Sequence, residues 1–124
     1  MGERRSILVV EDNEDNQEIA KLILEREGYG VDLAATSAEV RQRISARRPD
    51  LILMDVRLGS EDGLEVAREL KADPATAAIP IVALTAMAAS DHVLAAGCAG
   101  FIAKPIDTRL FPAQVRGYLL LCAS

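Results

Sequence analysis

The segment LILMD, residues Leu51–Asp55, places four apolar residues directly before a carboxylate. A short apolar run bounded by polar residues is typical of a β-strand that is buried on both faces, as the strands of parallel sheets are. Ligands of such sheets bind in the crevice beyond the carboxyl ends of the strands. Asp55 is therefore predicted to lie at the ligand-binding edge of a parallel sheet.

Other apolar runs of the chain also end on polar residues. ILVV precedes Glu11 and Asp12, IVAL precedes Thr85, and FIA precedes Lys104. If these runs are strands of one parallel sheet, three carboxylates, a hydroxyl and an ammonium group meet at one edge, although they are scattered through the sequence. We therefore expect one polar site at that edge.

Strand and helix signals alternate along the chain. Strands are predicted at Ile7–Val10, Val31–Ala35, Leu51–Met54, Ile81–Leu84 and Phe101–Ala103. Helices are predicted at Asn13–Glu27, Thr36–Arg47, Leu64–Ala72, Ser90–Ala96 and Thr108–Cys122. Strict alternation with short loops implies a parallel sheet with right-handed crossovers and helices on both faces. The predicted fold is a three-layer α/β/α sandwich.

Local signals support two of these helices. Thr36 and Glu39, three positions apart, form a capping-box pattern at the start of the second helix. In the first helix, Ile19, Leu22 and Ile23 form the apolar face.

Composition limits the class of protein. The 124 residues, half of them hydrophobic, suit one domain over residues 1–124 with one core. The chain has 14 Lys and Arg against 19 Asp and Glu, a net charge of −5, which argues against nucleic-acid binding. The basic residues Arg41, Arg43, Arg47 and Arg48 are interpreted as the solvated side of a helix.

The chain shows no signal for export or membrane insertion. Ile7–Val10 is far too short for a signal peptide or a membrane span, so we expect a cytoplasmic protein. Cys98 and Cys122 lack CxxC spacing and are expected to be reduced thiols without a disulfide or metal role. His92 has no partner with which to form a zinc site.

The polar strand ends also have purely structural interpretations. Glu11 and Asp12 could place negative charge at a helix N-terminus. Thr85 could cap the next helix, and Lys104 could be a solvated charge. Asp55 is harder to explain in this way, because other acids beside it would repel its carboxylate. We expect a bound cation there, and Mg²⁺, which combines carboxylates with water and phosphate oxygens, fits the pattern.

A phosphoryl group would fit the same set of side chains. An aspartate that attacks phosphorus forms an aspartyl phosphate, and Asp55 is the candidate nucleophile. A hydroxyl from Thr85, an ammonium group from Lys104 and a metal ion would together neutralise the phosphoryl oxygens.

The combined motifs resemble those of the response-regulator receiver domain of two-component signalling. The matching segments are EDN at Glu11–Asn13, LILMD at Asp55, ALTA around Thr85 and AKP around Lys104. The resemblance covers roughly Ser6–Leu121. It implies a flavodoxin-like fold with a five-stranded parallel sheet of order 2-1-3-4-5.

The resemblance also implies a role for each site residue. Asp55 would be the phosphoacceptor, with Thr85 contacting the phosphoryl group and Lys104 pairing with it. The Mg²⁺ ligands would be Asp12, Asp55, the backbone carbonyl of Arg57 and, through a water molecule, Glu11. Thr85 and Phe101 would form the switch; the alternative role of Phe101 is that of a core residue in the fifth strand.

The resemblance further implies partners and an output. A histidine kinase or histidine phosphotransfer protein would donate the phosphoryl group, and a downstream protein would read the phosphorylated state. The chain would be a stand-alone receiver of the cell-cycle or phosphorelay type, or a receiver excised from a larger protein. It would be no enzyme beyond its own phosphorylation and dephosphorylation.

Two features depart from the family pattern. Gly59 stands where the family often has proline, which predicts a looser loop after the acceptor. The separation of Thr85 from Lys104 is roughly one helical turn shorter than usual, which predicts a shortened fourth helix.

Other classes of protein remain open alternatives. A phosphatase of the haloacid-dehalogenase type would carry a DxD motif after its first strand, but that place reads Glu11-Asp12-Asn13-Glu14. A receiver-fold adaptor that works without phosphorylation fits the shortened helix but not the intact acidic site. A flavin site is disfavoured because the acidic loop would repel a flavin phosphate.

Overall fold

The computed structural model describes residues 5–86 and 90–122. Its larger sheet contains the strands β1 (Ser6–Val10), β2 (Gly30–Ala34), β3 (Leu51–Asp55), β6 (Ile81–Thr85) and β7 (Gly100–Ala103). A separate antiparallel hairpin contains β4 (Arg57–Leu58) and β5 (Glu61–Asp62). The helices are α1 (Glu14–Arg26), α2 (Ser37–Ala46), α3 (Gly63–Ala72), α4 (Ser90–Ala95) and α5 (Phe111–Cys122).

The sheet has the predicted topology. Its five strands are all parallel and lie in the order β2-β1-β3-β6-β7. Because β4 and β5 lie outside it, this order is the predicted 2-1-3-4-5. The flavodoxin-like fold class is confirmed.

Two hydrophobic clusters cover the two faces of the sheet. Leu8 and Val10 of β1 belong to a cluster that includes residues of α2, α3 and α4. Ile7 and Val9 belong to the other cluster, which includes residues of α1 and α5. The alternation along β1 follows from the two-residue period of a strand. The three layers are thus three helices, the sheet and two helices.

The strand that carries Asp55 lies deep in this core. Leu51, Ile52, Leu53 and Met54 are all 0% exposed. Burial of one such side chain contributes about 1.5–3 kcal/mol. Packing on both faces therefore fixes the direction and depth at which β3 delivers its last residue, Asp55.

The predicted apolar face of α1 is wrong in part. Ile19 is 43% exposed and Leu22 is 54% exposed, whereas Ala20 and Leu24 are buried and Ile23 packs at the margin of the core. The helix has adjacent apolar rows, and the row spaced by four residues faces the sheet. Ile19 and Leu22 are left on the surface.

Other differences concern the ends of elements. Helix α5 begins at Phe111 rather than Thr108, because residues 108–110 form a turn in which the Asp107 carboxylate accepts the Arg109 N–H at 3.0 Å. Thr36 caps α2 as predicted, accepting the Glu39 N–H at 3.2 Å. The Glu39 carboxylate, however, binds the N–H of Ala35 at 2.8 Å.

The fourth helix has six residues, as expected for a shortened helix, and residues 87–89 before it lie outside the description.

Cys98 is a buried free thiol, and burial raises its pKa. The side chain of Cys122 lies outside the described part, as do residues 1–4. Over residues 5–86 and 90–122, none of the helices has the length and apolar character needed to cross a bilayer.

The basic residues of α2 and the loop after it contact this chain's own oxygen atoms. Arg47 makes two hydrogen bonds to the Asp32 carboxylate, at 3.1 and 3.2 Å, and Arg43 donates to the Leu33 carbonyl at 2.9 Å. Both arginines are exposed. They form the solvated helix side that the sequence indicates, and they also tie α2 to β2.

The free edge of the sheet at β7 is covered by a tyrosine. The Tyr118 hydroxyl accepts the N–H of Phe101 at 3.2 Å and donates to its carbonyl at 3.1 Å. Gly100 makes room for the tyrosine ring, since a Cβ there would overlap it. An edge strand whose backbone groups are already bonded offers less to an incoming strand.

Candidate functional site

The polar residues of the site all follow or end strands of the sheet. Glu11 comes directly after β1, and Asp55 and Thr85 are the last residues of β3 and β6. Lys104 comes directly after β7, and its backbone N–H donates to the Thr85 carbonyl at 2.9 Å. Together with Asp12 they line one cleft.

The carboxylates form a tight cluster. One oxygen from each of Glu11, Asp12 and Asp55 lies within 4.8 Å of the others. Glu11 is 2% exposed and Asp55 is 5% exposed, whereas Asp12 faces solvent. Such charges repel one another and lose hydration on burial, so the cluster needs positive charge.

Lys104 supplies part of that charge. Its Nζ lies 2.9 Å from Asp55 Oδ2 and 3.0 Å from Glu11 Oε1. These are charge-assisted hydrogen bonds, the stronger kind in proteins. One ammonium group therefore serves two buried carboxylates, while the third acid adds negative charge at the mouth of the cleft.

The pKa values reflect this imbalance. Burial raises the pKa of Glu11, and its hydrogen bond to Asp55 raises it further, against a smaller lowering by Lys104. Burial lowers the pKa of Lys104, but its hydrogen bonds to Asp55 and Glu11 outweigh that and raise it overall. Lys104 stays protonated, and the cluster still favours additional positive charge.

Backbone N–H groups orient the two buried carboxylates. Asp55 Oδ1 accepts the N–H of Arg57 at 3.0 Å, so each of its oxygens has a partner. Glu11 Oε2 accepts the N–H of Asn13 at 3.3 Å. The Gln17 side chain on α1 also donates to the Glu11 carbonyl. Sequence analysis missed Gln17, because no local pattern connects its amide with a backbone carbonyl.

Two glycines shape the wall beside Asp55. A Cβ on Gly63 would overlap the Asp55 carbonyl, so only glycine lets α3 start against the end of β3. Gly59 has φ of +60°, a left-handed conformation that favours glycine, and lies beside the Asp12 carboxylate. Glycine at this position thus permits the turn. The role of Gly63 was missed, although a glycine at a helix start is a visible signal.

The remaining predicted residues lie as follows. Thr85 is 8% exposed and lines the cleft, as does Arg57. Phe101 is half-buried in β7 and packs against the cluster on the α2, α3 and α4 side. The structure therefore gathers the predicted metal and phosphoryl ligands in one cleft, and it places Phe101 in the sheet beside them.

Comparisons with known proteins agree with this geometry. The family model for the response regulator receiver domain matches residues 7–116. The polar-differentiation response regulator DivK of Brucella anthropi is 36% identical over 118 residues, which cover 93% of this chain and 96% of that protein.

Solved structures give the same result. A putative response regulator from Chloroflexus aurantiacus superposes with a TM-score of 0.87 at 30% identity, covering 95% of this chain and 99% of that one. The receiver domain of a sensor histidine kinase from Pseudomonas aeruginosa, with a magnesium ion coordinated in its active site cleft, has a TM-score of 0.82 at 34% identity. That match covers 98% of this chain and 100% of the other.

The acidic cluster predicts the effect of removing one charge. In buffer with a chelator, we expect Asp12→Asn to raise the free energy of unfolding by about 0.5–1 kcal/mol, because it removes repulsion at a partly solvated position. Urea denaturation measures this change. Glu18→Gln, an exposed substitution on α1 with the same change in charge, is the matched control. Equal effects of the two variants would show that repulsion within the cluster is negligible.

Proposed function

Because this chain belongs to the response regulator receiver domain family, we propose that Asp55 is the phosphoacceptor through which it acts in two-component signalling. Receiver domains are signalling modules, and we propose that this one catalyses only its own phosphorylation and dephosphorylation. The observation that carries the proposal is the cluster of Glu11, Asp12 and Asp55 with Lys104 at the strand ends.

The donor set of the cleft fits Mg²⁺. We propose as ligands Asp12, Asp55, Glu11 through water, and the backbone carbonyl of Arg57. All are oxygen donors, which hard cations prefer. Bound there, Mg²⁺ would supply positive charge that offsets the carboxylates and stabilises phosphoryl oxygens. The magnesium ion in the cleft of the Pseudomonas aeruginosa receiver domain supports the same cation here.

Asp55 is the best placed of the three acids to attack phosphorus. Lys104 and the Arg57 N–H hold its two oxygens at 2.9 and 3.0 Å, at the end of a strand that is buried on both faces. In the proposed transfer, an Asp55 oxygen forms a bond to phosphorus while the bond from phosphorus to the donor's imidazole nitrogen breaks. The Lys104 ammonium group and the Thr85 hydroxyl would then contact phosphoryl oxygens.

The switch is proposed for the strands next to Asp55. Phosphorylation adds charge approaching about −2, which would attract the Thr85 hydroxyl. The Lys104 N–H donates to the Thr85 carbonyl, so a shift of β6 at this point bears directly on the end of β7, the strand that carries Phe101. We propose that movement of Thr85 and Phe101 changes a surface to which a downstream protein binds. The partner shifts the equilibrium between the two conformations only by as much as it prefers one of them.

The proposed phosphoryl donor is a histidine kinase or a histidine phosphotransfer protein. Asn16 on α1 lines the cleft, and the exposed side chains of Ile19 and Leu22 follow it at steps of three residues, which keeps them near one side of the helix. A protein that presents phosphohistidine to the cleft would cover this apolar row. The net charge of −5 favours such protein partners over nucleic acid.

Phosphorylation of Asp55 can be tested by intact mass. On incubation with Mg²⁺ and acetyl phosphate, we expect the wild-type chain to gain on the order of 80 Da, the mass of one phosphoryl group, and Asp55→Asn to gain nothing. No gain in the wild type with any donor would contradict the proposal and favour the adaptor alternative. Hydrolysis of a generic phosphomonoester that needs Asp12 but not Asp55 would favour the phosphatase alternative.

The docking surface can be separated from the chemistry. The test uses a phosphotransfer protein that phosphorylates the wild type. We expect this donor to phosphorylate the double variant Ile19→Ser, Leu22→Ser about tenfold more slowly than the wild type, because lost apolar contact weakens the complex. Its reaction with acetyl phosphate should stay unchanged. Leu94→Ser on α4 is the control, because Leu94 is 58% exposed on the opposite layer. Equal rates for the double variant and the wild type with the protein donor would remove α1 from the docking surface.

A further inference from the structure

The chain after Asp55 forms a hairpin on one side of the cleft. Arg57 pairs with Asp62 and Leu58 pairs with Glu61, with Gly59 in the turn beside Asp12. Its root is fixed, because Arg57 donates its N–H to Asp55 and Asp62 caps α3. A hairpin with two residues in each strand is marginal by itself, so it depends on contacts with the rest of the chain. Leu58 packs its first strand into the core, and the second strand needs a further support.

That support comes from a contact with α2. Glu61 Oε1 accepts the backbone N–H of Ser37 at 3.0 Å, and Glu61 Oε2 accepts the Ser37 hydroxyl at 2.6 Å. Ser37 is the first residue of α2, where a carboxylate is also favoured by the helix dipole. These hydrogen bonds lower the pKa of Glu61 and keep it ionised. One serine thus holds both carboxylate oxygens across 24 positions of sequence.

We propose that Glu61, held by Ser37, is a positioning residue for the divalent-cation site, because it fixes the hairpin that carries the Arg57 carbonyl and borders Asp12. Neither Glu61 nor Ser37 touches the cation in this proposal. The hydrogen bonds between Glu61 and Ser37, here called the tether, restrict the hairpin before a cation binds. Less conformational entropy is then lost on binding, which raises the affinity for the cation by preorganisation. This inference rests on the proposed function, since it requires a cation in the cleft.

The tether can be removed with little loss of core. Leu58 of the hairpin is 2% exposed and stays packed in the cluster beside α3, and Asp62 caps α3 through a separate bond to the Leu64 N–H. Variants that lose the tether should therefore stay folded, and their main defect should be in binding.

Titration calorimetry with MgCl₂ tests the proposal on the full chain. We expect Glu61→Ala to raise the dissociation constant for Mg²⁺ about three- to tenfold. This lies at or below the lower end of the effects typical of residues that support metal ligands. Ser37→Ala, which changes no charge and keeps the backbone N–H, should have a smaller effect in the same direction. The double variant should bind Mg²⁺ no more weakly than Glu61→Ala, because both substitutions remove the same interaction.

Glu65→Ala is the matched control, since Glu65 is an exposed acid on α3 that pairs with Arg68 outside the cleft. Hydrogen exchange without metal is the second readout, and the Leu58 amide should exchange faster in Glu61→Ala than in this control.

The outcomes separate this inference from the proposed function. A wild-type chain that binds no Mg²⁺ would overturn the proposed cation site and the tether with it. A wild type that binds Mg²⁺, with Glu61→Ala equal to Glu65→Ala in affinity, would overturn the tether alone. A Glu61→Ala chain that unfolds in chelator would do the same unless Ser37→Ala, still folded, shows weaker binding.

Discussion

Lys104 lies between two buried carboxylates, and the rest of the site depends on this ion-pair arrangement. Its ammonium group, just after β7, bonds Glu11, just after β1, and Asp55, at the end of β3. Without it, two buried carboxylates would lie side by side with no compensating charge, which costs several kcal/mol. With it, the cluster is tolerated but remains short of positive charge. A surplus of negative charge at fixed positions favours a divalent cation, and that cation would in turn offset the negative charge of a phosphoryl group.

The scaffold explains why these positions are fixed. Strand β3 is enclosed by both hydrophobic clusters, so Asp55 cannot move without disturbing the core. Gly63 brings the start of α3 against the Asp55 carbonyl. The tether from Glu61 to Ser37 holds the hairpin that connects β3 with α3. Close packing of this kind gives a ligand site little freedom to lose on binding.

Much of the site was predictable because its residues border short apolar runs. Asp55 after LILM, and Lys104 after FIA, are fixed by the rule that parallel strands share one carboxyl edge. The apolar face of α1 was not, because the sequence offers two adjacent apolar rows and only packing against the sheet selects Ala20 and Leu24. The contacts of Glu61 with Ser37 and of Tyr118 with Phe101 join segments that are distant in sequence, so no local pattern predicts them.

The proposed binding of a divalent cation by the acidic cluster next to Asp55 is tested most directly by anomalous diffraction from crystals soaked in Mn²⁺. Mn²⁺ accepts the same octahedral oxygen coordination as Mg²⁺. We expect one anomalous peak at coordinating distance from Asp55, Asp12 and the Arg57 carbonyl, with Glu11 reaching it through water. A cleft without a peak, in crystals whose Lys104 still bonds Asp55 and Glu11, would contradict the account.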